Sequence, residues 1–525
     1  MTVDHTPSRD PVDRAIPMSR PPNVLVIMAD QLAASWLPAY GHPLVHAPNL
    51  TALARDGVVF DAAYCASPLC APSRASLLTG MLPSRTGVFD NAAELRASLP
   101  TVTHHLRAAG YATALAGKMH FVGPDQLHGF EERLTTDVYP ADLDWTPDWR
   151  LPLGDRLPWY HTMESVLTPG VTAASMQVDY DDEVAFQARR ALFDLARRPT
   201  DDPFFLCVSF TSPHDPWELP RHHWDRYDAA AIAPPVVPAI PLDEADPHSR
   251  RLRAMYGVDA ARLTDAQIRR ARHGYFAAVS YLDERAGDVL GALRDAGLAD
   301  DTIVLFTADH GEMLGERGLW YKMAFFEDSA RVPLIVHAPG RIAPRRVAEP
   351  VSLLDVAPTL LELSGRPDAS AGMDGASLVP LLHGAGGRPG AVVAEYLAEG
   401  LTAPAVMVRG AAEKYIRCPG DPDQLYDLAA DPRELHDLAA DAAGGERGAA
   451  LRAEADGRWD LAELERRVLE SQRERRLVAG ALARGRYTPW DFQPHVDASM
   501  QYVRSRADLY ELQRGARLDA ERPKA

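Results

Sequence analysis

Cysteine is scarce in this sequence, with four residues (Cys65, Cys70, Cys207 and Cys418) among 525. So few thiols in so long a chain exclude a disulfide framework and suit a reducing cytoplasm. No apolar run reaches membrane-spanning length, which excludes an integral membrane protein of helical type. Residues 1–20 mix Asp, Arg, Pro and His without the apolar centre of a signal peptide, and are expected to form a disordered tail. Positive charge is also short: 55 Lys and Arg against 73 Asp and Glu leave a net charge of -18. Nucleic-acid binding needs a basic face and is excluded on that ground. An acidic field would instead draw in a small cation.

What is present is an ordinary globular composition, 46% hydrophobic and 24% charged. Apolar runs at Asn23 to Met28, Phe204 to Phe210, Thr302 to Thr307 and Pro333 to His337 read as buried strands. Amphipathic stretches at Asp181 to Ala196 and Ala266 to Ala296 read as helices. Continuous apolar strands alternating with helices predict an α/β fold whose sheet is covered on both faces. Asp30 follows the first run, His214 the second, and Asp309 and His310 the third. A weaker run, Ala112 to Ala116, leads into Gly117, Lys118 and His120. Ligands bind beyond the carboxyl ends of such strands, so these residues are expected to meet at one sheet edge.

Pro and Gly clustering between Pro339 and Pro389 places a boundary near residue 385. The expected organisation is a catalytic domain over 21–385, a small antiparallel-sheet subdomain over 386–455, and a helix and tail over 456–525. Strands are expected at Ala391 to Ala394 and Ala405 to Val408. The helix from Trp459 to about Leu482 has apolar residues only at Leu461, Leu464, Val468 and Leu477, too sparse for deep burial. Beyond it, Tyr487, Trp490, Phe492, Tyr502 and Tyr510 predict a tail that docks on this subunit or a neighbour.

A lone cysteine is usually an inert buried residue, but Cys70 sits in Cys70-Ala71-Pro72-Ser73-Arg74-Ala75-Ser76-Leu77-Leu78-Thr79-Gly80. That segment resembles the Cys-x-Pro-x-Arg…Thr-Gly signature of type I sulfatases, of the alkaline phosphatase superfamily. Gly110-Tyr111-Ala112-Thr113-Ala114-Leu115-Ala116-Gly117-Lys118-Met119-His120 resembles their second signature. The resemblance implies a large mixed, mostly parallel sheet sandwiched by helices, with a smaller C-terminal α+β part. It implies that Cys70 is oxidised by a formylglycine-generating enzyme to an aldehyde whose hydrate attacks sulfur. Arg74 would hold that hydrate and start the helix running to Thr79. Asp30, Gln31, Asp309 and His310, with residue 70, would bind a divalent metal. Calcium is the family's usual ion, and the imidazole of His310 also suits manganese or zinc. Lys118 would neutralise sulfate oxygens. His120, pointing the same way if the segment is extended, would act as base. His214, in Ser209-Phe210-Thr211-Ser212-Pro213-His214, and Lys322 would lie near the bridging oxygen, one of them assisting the leaving alkoxide.

Gly117 through Glu131, then Thr135-Thr136-Asp137-Val138-Tyr139-Pro140 and Asp144-Trp145-Thr146-Pro147-Asp148-Trp149, are similar to the choline-sulfatase branch. So are Arg458 to Leu461, Ser471 to Arg473, and Trp490 through Ser499. This likeness spans nearly the whole chain from Asn23 and implies hydrolysis of choline-O-sulfate to choline and sulfate. A quaternary ammonium donates no ordinary hydrogen bond, so aromatic faces and carboxylates must bind it. Trp145, Trp149, Trp159, Tyr160 and His161 crowd one segment; by resemblance Trp145 and His161 are the expected pocket walls. Glu395 and Glu399 are candidate carboxylates, with no choice between them. Asp497 is another, supplied to a neighbouring subunit if the tail reaches it, which implies a homo-oligomer (dimer or tetramer). His495 stands where the branch has an aromatic residue. Asn91 is a candidate contact to sulfate or the carbon chain. The rival readings are a phosphonate monoester or phosphate diester hydrolase on the same fold, another alkyl or aryl sulfatase, and a non-catalytic binding protein that leaves Cys70 unmodified.

Overall fold

The structure is a computed structural model and describes residues 21–152, 161–440, 442–487, 489–504 and 507–518. The expected tail at 1–20, together with Trp159 and Tyr160, lies outside the described residues.

Eight strands form the main sheet: β1 (Asn23–Ala29), β2 (Val58–Phe60), β3 (Ala112–Gly117), β4 (Glu132–Arg133), β5 (Phe204–Ser209), β6 (Thr302–Ala308), β7 (Leu334–His337) and β8 (Arg345–Val347). Their order is β8-β2-β7-β6-β1-β5-β3-β4. All run parallel except β7, which pairs antiparallel with both β6 and β2. Every residue of β1, β5 and β6 is buried, as sequences without polar alternation require when both faces are covered. Each Val, Ile, Leu or Phe so enclosed contributes about 1.5–3 kcal/mol over remaining in water.

Four helices matter for the site: α1 (Cys70–Thr79), α2 (Met176–Arg197), α3 (Asp265–Asp295) and α4 (Leu461–Leu482). Ser175 caps α2 by accepting from the Val178 N–H. Thr264 and Gln267 form a capping box at the start of α3. Gly80, at φ +66°, ends α1.

The small sheet is β9 (Val392–Tyr396), β10 (Ala405–Arg409), β11 (Glu413–Arg417) and β12 (Gln424–Asp427), antiparallel in sequence order. Helix α4 departs from the sparse pattern expected of it. Leu464, Val468, Gln472 and Arg475 form one buried face, whereas Leu477 is 75% exposed. Two of the four buried positions are polar, so apolar spacing alone under-reads this helix. The tail after it docks in part on its own chain: Asp491 accepts from the Ala141 N–H at 3.0 Å, and Arg133 lies over the Phe492 ring at 5.8 Å. Tyr502 and Tyr510 stay exposed. No helix among the described residues is long and apolar enough to cross a membrane.

Candidate active site

Strands β6, β1, β5 and β3 are neighbours, and their registers align Ala308 with Ala29, Met28 with Ser209, and Ser209 with Gly117. The residues that follow each strand therefore leave the sheet at one edge. Cys70 is the first residue of α1 and points into that edge. Its Sγ lies 3.2 Å from His310 Nε2 and 3.8 Å from Asp30 Oδ1. His310 Nε2 is 3.7 Å from both Asp30 Oδ1 and Asp309 Oδ1. Ligand atoms of Asp30, Cys70, Asp309 and His310 all lie within 4.8 Å of one another.

Charge and tautomer suit that cluster to a cation. Burial alone would raise the Asp30 carboxyl, but the charges of Lys118 and Arg74 outweigh it and hold it well below its ordinary value. Asp309 is likewise buried yet lowered, chiefly by Arg74. Burial lowers His310, keeping its ring neutral. The Nδ1–H donates to the Gly311 carbonyl at 3.0 Å, which leaves the Nε2 lone pair facing two carboxylates. Two charged carboxylates and a neutral imidazole nitrogen around residue 70 fit a divalent ion.

Arg74 is fully buried and ties the site together. Nε donates to Asp309 Oδ2 at 2.8 Å, Nη2 to Asp30 Oδ2 at 3.2 Å, and Nη1 to Ser209 Oγ and the Lys118 carbonyl at 2.8 and 2.6 Å. It lies in the second turn of α1, so the helix starts at Cys70 and not, as expected, at Arg74. The side-chain amide of Gln31, expected among the metal donors, is taken up by other partners, while its backbone N–H donates to Asp309 Oδ1 at 3.1 Å. Its Oε1 accepts from Lys322 Nζ at 2.5 Å, and its Nε2 donates to Glu312 Oε2 at 2.6 Å and Asp215 Oδ1 at 3.3 Å. An ammonium on the oxygen and two carboxylates on the nitrogen fix the amide as a support for Lys322.

Lys118 reaches the cluster because Gly117 turns the chain at φ +104°, where a Cβ would meet the Ser209 carbonyl oxygen at 1.9 Å. Its ammonium pairs with Asp30 and lies 4.2 Å over the Tyr139 ring. The segment is not extended, as had been expected: His120 has φ +57°, and a turn rather than strand alternation places its ring. Among the described residues both buried His120 nitrogens have no hydrogen-bond partner, and the ring meets Tyr139 at 4.9 Å and Trp145 at 6.0 Å. His214 is lowered to about 4 by burial, with help from Lys322, so it is neutral at pH 7. Its Nδ1 donates to the Asp215 carbonyl at 2.7 Å, and its Nε2 accepts from Lys322 Nζ at 2.9 Å.

Cys70, His214 and Lys322 floor a cleft of about 450 Å³ whose walls include Asn91, Tyr139, Trp145, His161 and Asp215. Asn91 Oδ1 accepts from the Ala71 N–H at 3.0 Å, beside residue 70. His161 stacks on Tyr321 at 4.5 Å and lies 5.5 Å from His214. Glu399 is pushed up to about 8, chiefly by burial, with the charges of Asp90 and Cys70 adding to the rise. Glu395 does not face the cleft: it accepts from Ser84 N and Oγ at 2.7 and 2.6 Å and from Trp459 Nε1 at 2.6 Å, a structural clamp. Asp497 is exposed and accepts from the Ser499 N–H and Oγ at 2.9 and 2.6 Å. Trp149 donates Nε1 to the Ala398 carbonyl at 2.8 Å and supports the wall from behind. Tyr139 and Asp215 were not singled out from sequence. Their signals were position alone, Tyr139 before Pro140 and Asp215 directly after His214.

The family model described as "Sulfatase" matches residues 22–366. "Choline sulfatase enzyme C terminal" matches 466–518, and "N-sulphoglucosamine sulphohydrolase, C-terminal" matches 315–455. A choline-sulfatase of Rhizobium meliloti (strain 1021) is 50% identical over 505 residues, 94% of this chain and 98% of its own. Human iduronate 2-sulfatase is 32% identical over 346 residues, 61% of this chain and 60% of its own. A solved phosphonate monoester hydrolase of Agrobacterium radiobacter superposes with TM-score 0.66 at 27% identity, over 85% of this chain and 96% of that one. The chain belongs to the sulfatase family, within its choline-sulfatase branch.

Proposed function

We propose that this chain hydrolyses choline-O-sulfate to choline and sulfate. The observation that carries the reading is the junction of two unlike sites. A cation-binding cluster with Cys70 lies at the base of a cleft walled by Trp145, Tyr139, His161 and carboxylates. The 50% identical relative is named a choline-sulfatase, which supports the same substrate here.

Formylglycine at residue 70, installed by a formylglycine-generating enzyme, would supply an activated hydroxyl as nucleophile. A calcium or manganese ion held by Asp30, residue 70, Asp309 and His310 would supply positive charge beside that hydroxyl and the sulfate. The chain's own residues do the rest. Lys118, held by Asp30, neutralises sulfate oxygens. Lys322 has three N–H donors, of which Gln31 and His214 take two. The third is free to protonate the leaving alkoxide, while His214, with its Nε2 lone pair occupied, orients the ammonium. His120, with both nitrogens unpaired, is the available base. Trp145 and Tyr139 offer ring faces to the trimethylammonium group, and Glu399 offers a carboxyl that its positive charge would ionise. Asp497 of a neighbouring copy in a homo-oligomer, in the cytoplasm, would complete the pocket.

The solved phosphonate monoester hydrolase keeps one rival in view. Turnover of choline sulfate and of an aryl phosphonate monoester, measured side by side, separates the two. A kcat/KM at least tenfold higher on choline sulfate is expected; the reverse order would overturn the proposal.

A further inference from the structure

Helix α4 lies behind the cleft wall and reaches it through Arg475. Nη1 and Nη2 donate to the two carboxylate oxygens of Asp90 at 2.7 Å each, and Nη1 also donates to Thr146 Oγ1 at 3.2 Å. Asp90 is fully buried and Arg475 is 9% exposed. Asp90 directly precedes Asn91, whose side chain holds the Ala71 N–H at the start of the nucleophile helix. Thr146 directly follows Trp145 and closes its turn by donating to the Leu143 carbonyl at 2.7 Å. One helical turn earlier, Gln472 accepts from the Trp149 N–H at 3.0 Å. A single planar guanidinium thus ties the immediate chain neighbours of two cleft residues, Asn91 and Trp145, to one rigid helix.

We infer that Arg475, paired with Asp90, is a positioning residue that sets the spacing between Asn91 and Trp145 and so selects the alkylammonium ester. This rests on the substrate reading above. The pair touches no reacting atom. Its loss loosens the wall and weakens capture of the substrate, while the chemistry at residue 70 proceeds as before. A Lys at 475 keeps the charge but not the two-pronged geometry.

R475M alone would strand a buried carboxylate, so the double variant D90N/R475M carries the test, alongside R475K. The measurements are kcat and KM for choline sulfate and for 4-nitrophenyl sulfate, with thermal unfolding to show that each variant is folded. For the double variant the expected result is a KM for choline sulfate raised about tenfold or more, with kcat within about threefold. KM for 4-nitrophenyl sulfate, which has no ammonium group, should move less than about threefold, and R475K should fall between wild type and the double variant. A folded double variant with an unchanged KM for choline sulfate, or an equal rise for both esters, or a fall in kcat alone, would overturn the inference. Should wild-type protein show no preference for choline sulfate, the substrate reading fails. The KM of the double variant on the preferred ester then still decides whether Arg475 positions the wall.

Discussion

Replacing Lys322 by Met tests the assignment of the leaving-group acid. The side chain is buried at the cleft base, and two of its three N–H groups are committed to Gln31 and His214. Departure of an alkoxide without a proton is costly, and a positioned general acid contributes about 10²–10⁴-fold, or about 3–5 kcal/mol of barrier. The loss on choline sulfate should fall in that range, mostly in kcat. The 4-nitrophenolate of an aryl ester leaves readily as an anion, so the same variant should lose less than about tenfold on 4-nitrophenyl sulfate. Sulfate release from both esters, at saturating substrate, reads the contrast directly. Equal losses on the two esters would mean that Lys322 binds the sulfate oxygens instead, and an unimpaired variant would remove it from the chemistry altogether.

Gly117→Ala should destabilise the protein by about 2–5 kcal/mol, from left-handed backbone strain and the disturbed bond between Lys118 N–H and the Ser209 carbonyl. It should also displace Lys118; a wild-type melting temperature and activity would refute this. Glu399, raised to about 8, is protonated at pH 7 and ionises above that, so KM for choline sulfate should fall as pH rises through about 8. E399Q should flatten that profile. The linkage runs the other way for the empty protein: stability present at low pH is lost as pH rises toward the folded value, because the unfolded chain gives up this proton first. Removing divalent metal with a chelator should abolish turnover and lower the melting temperature, since Asp30 and Asp309 lose their shared counter-ion. An ion at a hundred times its Kd contributes about 2.7 kcal/mol to stability. A melting curve unmoved by chelator and by added calcium or manganese would contradict the site.

The sheet and the meeting of Asp30, Lys118, His214, Asp309 and His310 were legible because strand periodicity and the rule for carboxyl ends act locally, whereas Cys70, at a helix start, was marked only by its resemblance to a family signature. What escaped depends on distant partners. Gln31 looks like a metal donor until Lys322, 291 residues away, takes its amide oxygen. Glu395 and Glu399 are equivalent on paper. In the fold, Glu395 is claimed by Ser84 and Trp459, while burial raises the Glu399 carboxyl to about 8. The buried face of α4 was missed because Gln472 and Arg475 are polar, and only their partners at Trp149 and Asp90 make burial tolerable. His120 was placed by an extended segment that does not exist; positive φ at that residue is invisible to a pattern of residue types.

The central claim is that residue 70 performs the chemistry, and sulfate release from choline sulfate by native and Cys70→Ala protein tests it most directly. The native protein, shown by peptide mass spectrometry to carry the aldehyde at residue 70, should release sulfate, and the folded variant should release none. Equal release by the two proteins, or release by native protein whose Cys70 remains a thiol, would contradict the account.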